Sequence, residues 1–259
     1  MLGKKAVLKD HLYTEEFIPL FRDADADGRL GVRGYFNIFQ DVNATYRHAY
    51  GIGNDTLPKK TGCAWLFTKY KLHIYQKADF SVPVRVETWM EPVRSPLLVN
   101  HGLLVYAGDT LSAAGRLESC LFHLGKQRLE RLSRIDLDKE AFYDREDGLS
   151  RFARIGTTLP EKELRYTHTV CYTDLDVSRH MNNIKYIDMF LNAFSREWFQ
   201  NHMITEVEVQ YRMQCFEGER LRVFAGKWDK EKVPGDEKLM LQALKDDDTV
   251  AATALLTIE

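Results

Sequence analysis

The sequence predicts an α+β chain made of two related halves, each a long helix wrapped by an antiparallel sheet. Three observations predict it. Val82-Pro-Val-Arg-Val-Glu-Thr-Trp89 lies over Leu221-Arg-Val-Phe-Ala-Gly-Lys-Trp228, and at the same offset Asp109-Thr-Leu-Ser-Ala-Ala114 lies over Asp248-Thr-Val-Ala-Ala-Thr253. Two matches in one register are the signature of an internal repeat. Upstream, Asp23-Ala-Asp-Ala-Asp-Gly-Arg-Leu30 precedes a helical pattern as Asp174-Leu-Asp176 does, at an offset about ten residues larger, which an extra loop from Gly51 to Gly62 would supply.

Each half opens with a short strand pattern and then a helix. In the first helix Tyr35, Phe39, Val42, Tyr46 and Ala49 recur at steps of four and three and so share one face; in the second Ile187, Phe190, Leu191, Phe194 and Trp198 do the same. Asn37, Asp41, Asn192 and Arg196 occupy the other faces, so each helix is to be covered mainly on one side. Alternating patterns supply the cover. Thr68 to Tyr75, Val82 to Met90, Leu97 to Tyr106 and Leu111 to Phe122 form one set of strands; Glu206 to Met213, Arg220 to Trp228, Lys238 to Lys245 and Thr249 to Ile258 form the other. The polar turns Ala107-Gly-Asp109 and Asp246-Asp-Asp248 imply antiparallel pairing. Residues 1–135 make the first repeat, the charge-rich and aperiodic 136–160 a linker, and 161–259 the second repeat.

A chain of 259 residues can bury two ordinary cores. With 44% hydrophobic and 29% charged residues and a formal net charge of -2, it offers no global positive field for nucleic acid, and no helix-turn-helix segment is evident. No run of about 18 apolar residues points to a membrane span, and Met1 to Asp10 lacks the apolar core of a signal peptide. Cys63, Cys120, Cys171 and Cys215 stand singly, as reduced thiols do. A cytoplasmic chain is expected.

One helix followed by four or more antiparallel strands, made twice, matches a tandem, or double, hotdog. Asp176-Val-Ser-Arg-His-Met-Asn-Asn-Ile-Lys-Tyr186 resembles the Asp-x-Asn-x-His-x-Asn-Asn-x-x-Tyr signature of the acyl-acyl carrier protein thioesterases, including bacterial relatives of the plant enzymes. Tyr35 to Gln40, Thr88-Trp89 and Tyr211-Arg-Met-Gln-Cys215 fit the same family. The resemblance implies a double hotdog, release of a free fatty acid within fatty acid biosynthesis, and acyl carrier protein bearing an acyl-phosphopantetheine as partner. It admits a homodimer.

Cleaving a thioester needs a base, an oxyanion stabiliser and a dry acyl slot; the leaving thiol has a pKa of about 8.5 and departs readily as thiolate. Asp176 and His180 stand four apart just before a helix, where a compact turn lets a carboxylate orient an imidazole. The helix starting near Asn182 offers N–H groups at its positive end for the developing oxyanion. By family position Asn182, Asn183, Tyr186 and Cys215 contact substrate. No metal or other cofactor is assigned, since His180 has no His or Cys at ligand spacing.

Two positions depart from the family. Ser178 stands for the usual Asn, and Gln214 for a Glu that assists the base; an amide can orient water but cannot take its proton. Cys215 reads as a small buried strand residue rather than a nucleophile, having no local feature that would lower its pKa. The first half has no histidine at the place of His180, which frees it to house the acyl chain. Phe36, Phe39, Trp65, Phe67 and Trp89 are its candidate walls. Lys126, Arg128, Arg131 and Arg134 would form a positive ridge for an acidic carrier if that segment is helical. An acyl-CoA thioesterase, a hotdog dehydratase or hydratase, and a non-catalytic acyl-thioester binding protein are the alternative readings.

Overall fold

The computed structural model describes residues 5–135, 137, 142–228 and 237–259. By contact the chain divides into two compact units, Met1–Ser150 and Arg151–Glu259. The first holds β1 (Lys5–Lys9), β2 (Leu12–Phe17), α1 (Val32–Ala49), α2 (Leu57–Thr61), β3 (Cys63–Ile74), β4 (Val84–Met90), β5 (Leu98–Ala107), β6 (Thr110–His123) and β7 (Arg128–Glu130). The second holds β8 (Glu163–Thr169), α3 (Asn183–Leu191), α4 (Arg196–Asn201), β9 (Ile204–Tyr211), β10 (Arg220–Lys227), β11 (Glu237–Leu244) and β12 (Val250–Ile258).

The strand orders match one for one. In the first unit β2-β4-β5-β6-β3 run side by side, with β1 beyond β2 and β7 on β6; in the second the order is β8-β10-β11-β12-β9. All of these neighbours are antiparallel. Strand ends fall within a few residues of the alternating patterns, except that β3 starts earlier, because Cys63 to Phe67 continue the ladder opposite His123 to Ser119.

In the first unit α1 lays its apolar stripe on the sheet, with Tyr35, Phe36, Phe39 and Tyr46 fully buried. Burying a Phe side chain contributes about 2 kcal/mol, and Phe39 gets its place only because β6 has Gly115 opposite, where a Cβ would run into the ring. The next residue along β6, Ala114, points to the other face, since successive strand residues alternate. There it joins Trp89 and Leu104, with Tyr143 and Leu149 packed over them. Arg116 pins this cover through its Nε, 2.7 Å from Asp147 Oδ2. The second unit repeats the device. Trp228, the counterpart of Trp89, clusters with Met240, Leu255, Ile155 and Leu159, and Gln210 and Gln242 donate to the carbonyls of Ala153 and Thr157 at 3.0 and 2.6 Å.

One expectation fails in the second unit. The stripe from Ile187 to Trp198 is two helices rather than one: α3 stops at Leu191, and Ser195 starts α4 by accepting the Trp198 N–H at 3.2 Å. A serine offering its hydroxyl to an open helix end favours a new start over continuation.

Candidate active site

The motif lies on a loop that enters α3. It begins with a single tight turn, Tyr172–Asp174, whose buried Asp174 carboxylate accepts the Cys171 N–H at 2.9 Å and faces His168 Nε2 at 2.8 Å. Its carbonyl accepts the Asn182 N–H at 2.8 Å. Asp176 then closes the next turn: its N–H donates to the His180 carbonyl at 3.1 Å, its carbonyl accepts from Arg179 at 2.9 Å, and its Oδ1 accepts the Ser178 N–H at 2.7 Å. Arg179 turns the chain at φ 65°.

The first unit builds the same loop from different residues. Asp25 N–H donates to the Arg29 carbonyl at 2.8 Å and Gly28 N–H to the Asp25 carbonyl at 3.0 Å, with Gly28 at φ 74°. Asp23 occupies the place of Asp174 and caps its own turn through Leu20 N–H at 3.0 Å. Arg29 stands where the second loop has His180, and Lys77 lies 3.0 and 3.3 Å from the Asp25 and Asp27 carboxylates.

His180 is half-buried, with Nδ1 3.4 Å from the Met181 carbonyl oxygen. A carbonyl only accepts, so this contact selects the tautomer with the proton on Nδ1 and the lone pair on Nε2. Among the described residues no hydrogen bond joins the Asp176 carboxylate to this imidazole: the two residues share one turn through their backbones, and the carboxylate holds Ser178. Ser178 itself is exposed.

Asn182 caps α3, its Oδ1 accepting the Ile184 N–H at 2.8 Å. The Asn183 N–H, at the positive end of the helix, has no acceptor among the described residues, and the Asn183 carbonyl takes the Tyr211 hydroxyl at 3.1 Å. Tyr186 is buried, donates to the Met213 carbonyl at 3.3 Å and meets the Tyr211 ring edge-on at 5.5 Å. Its hydroxyl lies against Cys215. That thiol is fully buried, and desolvation pushes its pKa up from the ordinary thiol value. Gln214 is exposed, and its neighbour Cys215 accepts the Met181 N–H at 2.8 Å, so the Gln214–Cys215 segment runs beside the motif.

Phe39 and Trp65 belong to the first unit. Phe39 is fully buried on Gly115, and Trp65 donates from Nε1 to the Ile52 carbonyl at 2.8 Å. Trp89, in contrast, lies on the sheet face away from α1 and is no wall of a slot beside that helix. The arginine ridge is also corrected. Arg128 is in β7, Arg131 is irregular and Arg134 ends a one-turn helix, so the three do not recur on a helical face; Arg128 is taken up by Glu130 at 3.1 Å. Pairing of β7 with β6 decides this segment, an interaction its local charge pattern does not reveal. The sequence also gave no notice of His168 as partner of Asp174, although the repetition of Asp23 at Asp174 was a usable signal. Among the described residues no group of three or more His, Cys, Asp or Glu is gathered as around a metal, and no helix is long and apolar enough to cross a membrane.

Residues 10–135 match the family model of the acyl-ACP thioesterase N-terminal domain and residues 158–255 that of the C-terminal domain. The oleoyl-acyl carrier protein thioesterase of Coriandrum sativum is 21% identical over 221 residues, 78% of this chain and 59% of its own length. The acyl-[acyl-carrier-protein] hydrolase FATB1 of Cuphea viscosissima is 20% identical over 231 residues, 83% of this chain and 54% of its own. Both are chloroplastic proteins, of whose length this chain spans a little over half. Among solved structures, an acyl-ACP thioesterase from Bacteroides thetaiotaomicron superposes with a TM-score of 0.84 at 20% identity, over 96% of this chain and 98% of that one. The 12:0-ACP thioesterase from Umbellularia californica gives 0.78 at 17%, over 96% and 94%. The fold is the double hotdog, and with both domain models matched in order the chain belongs to the acyl-ACP thioesterase family.

Proposed function

We propose that this chain hydrolyses the thioester of an acyl group on acyl carrier protein and releases the free fatty acid. The observation that carries the reading is the asymmetry between two matching loops: the backbone hydrogen bonds around Asp25 and Asp176 are the same, but only the second loop holds a histidine, at the place of Arg29. The activity named for the relatives supports it.

In this reading water attacks the thioester carbonyl carbon while His180 Nε2 takes its proton. The carbonyl oxygen becomes an oxyanion facing the Asn183 N–H at the positive end of α3. Collapse breaks the C–S bond, and the thiol leaves as thiolate to be protonated by the imidazolium. The Asp176 carboxylate, held by the Ser178 N–H, fixes the turn that presents the imidazole. Ser178 and Gln214 orient water; Asn182, Tyr186 and Cys215 shape the carbonyl end of the site. Phe39 and Trp65 are walls of an acyl slot in the first repeat. The four cysteines are unpaired, which supports a cytoplasmic location.

The test is thiol release from acyl carrier protein and coenzyme A carrying the same acyl groups of graded length. Turnover confined to coenzyme A would move the assignment to the acyl-CoA alternative. Saturable binding of the thioester without thiol release would make the chain a binding protein. Sedimentation of the full chain tests the homodimer.

A further inference from the structure

Two differences between the first repeat and the second converge on one place. Its helix α1 has 18 residues where α3 has 9, and the insertion from Gly51 to Gly62 follows it. Asn43 and Arg47 sit on the added turns, at positions where the second repeat has Phe194 and Trp198. Both are buried, at 0% and 3% exposure.

Arg47 has no carboxylate partner among the described residues. Its Nη2 donates to Ser119 Oγ at 2.7 Å and lies 3.5 Å from His101 Nδ1, while its Nε is buried without an acceptor. The guanidinium lies over the Trp65 ring at 4.4 Å and the Phe67 ring at 5.1 Å. Both ends of the Asn43 amide are buried and unmatched, as is His101 Nε2. Burial pushes the Arg47 pKa down to about 9, and burial followed by the Arg47 charge pushes that of His101 well below the ordinary imidazole value. An isolated buried cation is costly, and a hydrogen-bonded counter-charge offsets much of that cost.

Asn43, Arg47 and Phe67 line a cavity of about 460 Å³ together with Gly53, Asn54 and Asp55 of the insertion. That volume falls in the range of small-molecule sites. We propose that this cavity of the first repeat is an anion-binding site, in which Arg47 and Asn43 hold the oxygens of a carboxylate or phosphate group. Guanidinium and amide together match such a group, one supplying charge and paired donors and the other a further N–H. The inference rests on the first unit alone and does not depend on the proposed hydrolysis.

Calorimetric titration of the full chain with inorganic phosphate, pantetheine 4′-phosphate and octanoate tests it. Saturable binding of at least one is expected, and Arg47→Met and Asn43→Leu should each weaken it by about tenfold or more. Binding of the two phosphates without octanoate assigns the phosphate; octanoate alone assigns the carboxylate; binding of all three assigns the oxyanion in general. Absence of saturable binding by all three, or affinity unchanged in Arg47→Met, overturns the proposal. Should Arg47→Met fail to fold, Asn43→Leu decides, and unchanged affinity there overturns it equally.

Discussion

The N–H of Met181 donates to the carbonyl oxygen of Cys215 at 2.8 Å, and that bond ties the loop carrying His180 to the segment that follows β9. His180 precedes one partner and Gln214 the other, so two residues far apart in sequence flank a single hydrogen bond. The motif and the Gln214–Cys215 segment form one structural unit.

His180→Ala is expected to lower thioester turnover by a factor on the order of 100 or more while leaving the thermal transition in place. Near-normal turnover by a folded variant would remove the imidazole from the mechanism.

Asp176 has two separable duties. Its Oδ1 holds the Ser178 N–H, a bond an Asn side chain can also accept, whereas only the carboxylate carries charge. Asp176→Asn should therefore keep the melting temperature near wild type and lose turnover, while Asp176→Ala should lose both, the stability by about 1 kcal/mol. Equal activity in Asp176→Asn and wild type would reduce Asp176 to a loop-holding residue.

Cys215 is buried with its thiol pKa raised by desolvation, whereas Cys171 is exposed. A raised pKa means less thiolate at neutral pH, so iodoacetamide should label Cys171 first and Cys215 only slowly until the pH exceeds the ordinary thiol range. Mass mapping of the labelled chain reads the order. Cys215→Ala should retain most activity; an acyl group trapped on the wild-type sulfur would instead establish covalent catalysis.

Gly115 faces Phe39 with no space for a Cβ. Gly115→Ala should destabilise the first unit by about 1–3 kcal/mol, because ring and strand must separate. Urea unfolding measures this, and an unchanged midpoint would show that α1 can shift freely on the sheet.

Arg179 holds a left-handed turn at φ 65° that its counterpart Gly28 makes at 74°. A left-handed non-glycine residue costs about 1 kcal/mol, so Arg179→Gly should raise the melting temperature and Gly28→Arg should lower it. Opposite shifts would mean that the unfolded-chain entropy of glycine outweighs the relief.

The internal repeat, the stripe of α1 and all eight strands of the two paired sets were legible in the sequence, because side-chain alternation and helical spacing are local and survive without knowledge of partners. Trp89 and Trp228 aligned by sequence and do take equivalent places, each buried on the sheet face away from its unit's long helix. The break at Ser195 is written locally too, but the apolar stripe runs across its cap signal and masks it.

What only tertiary structure decided is where polar atoms spend their hydrogen bonds. Four residues separate Asp176 from His180, and spacing alone permits a carboxylate–imidazole bond; the folded turn gives the carboxylate to Ser178 and leaves the imidazole to the Met181 carbonyl. Arg47 lies eight positions beyond Phe39, on the same face of α1, yet nothing local says that its guanidinium lies over Trp65 and against Ser119. A side chain's burial depends on strands 18 and 72 positions further along the chain, since those strands supply Trp65 and Ser119. Periodicity fixes which face a residue occupies, and only the meeting of distant segments fixes what that face meets.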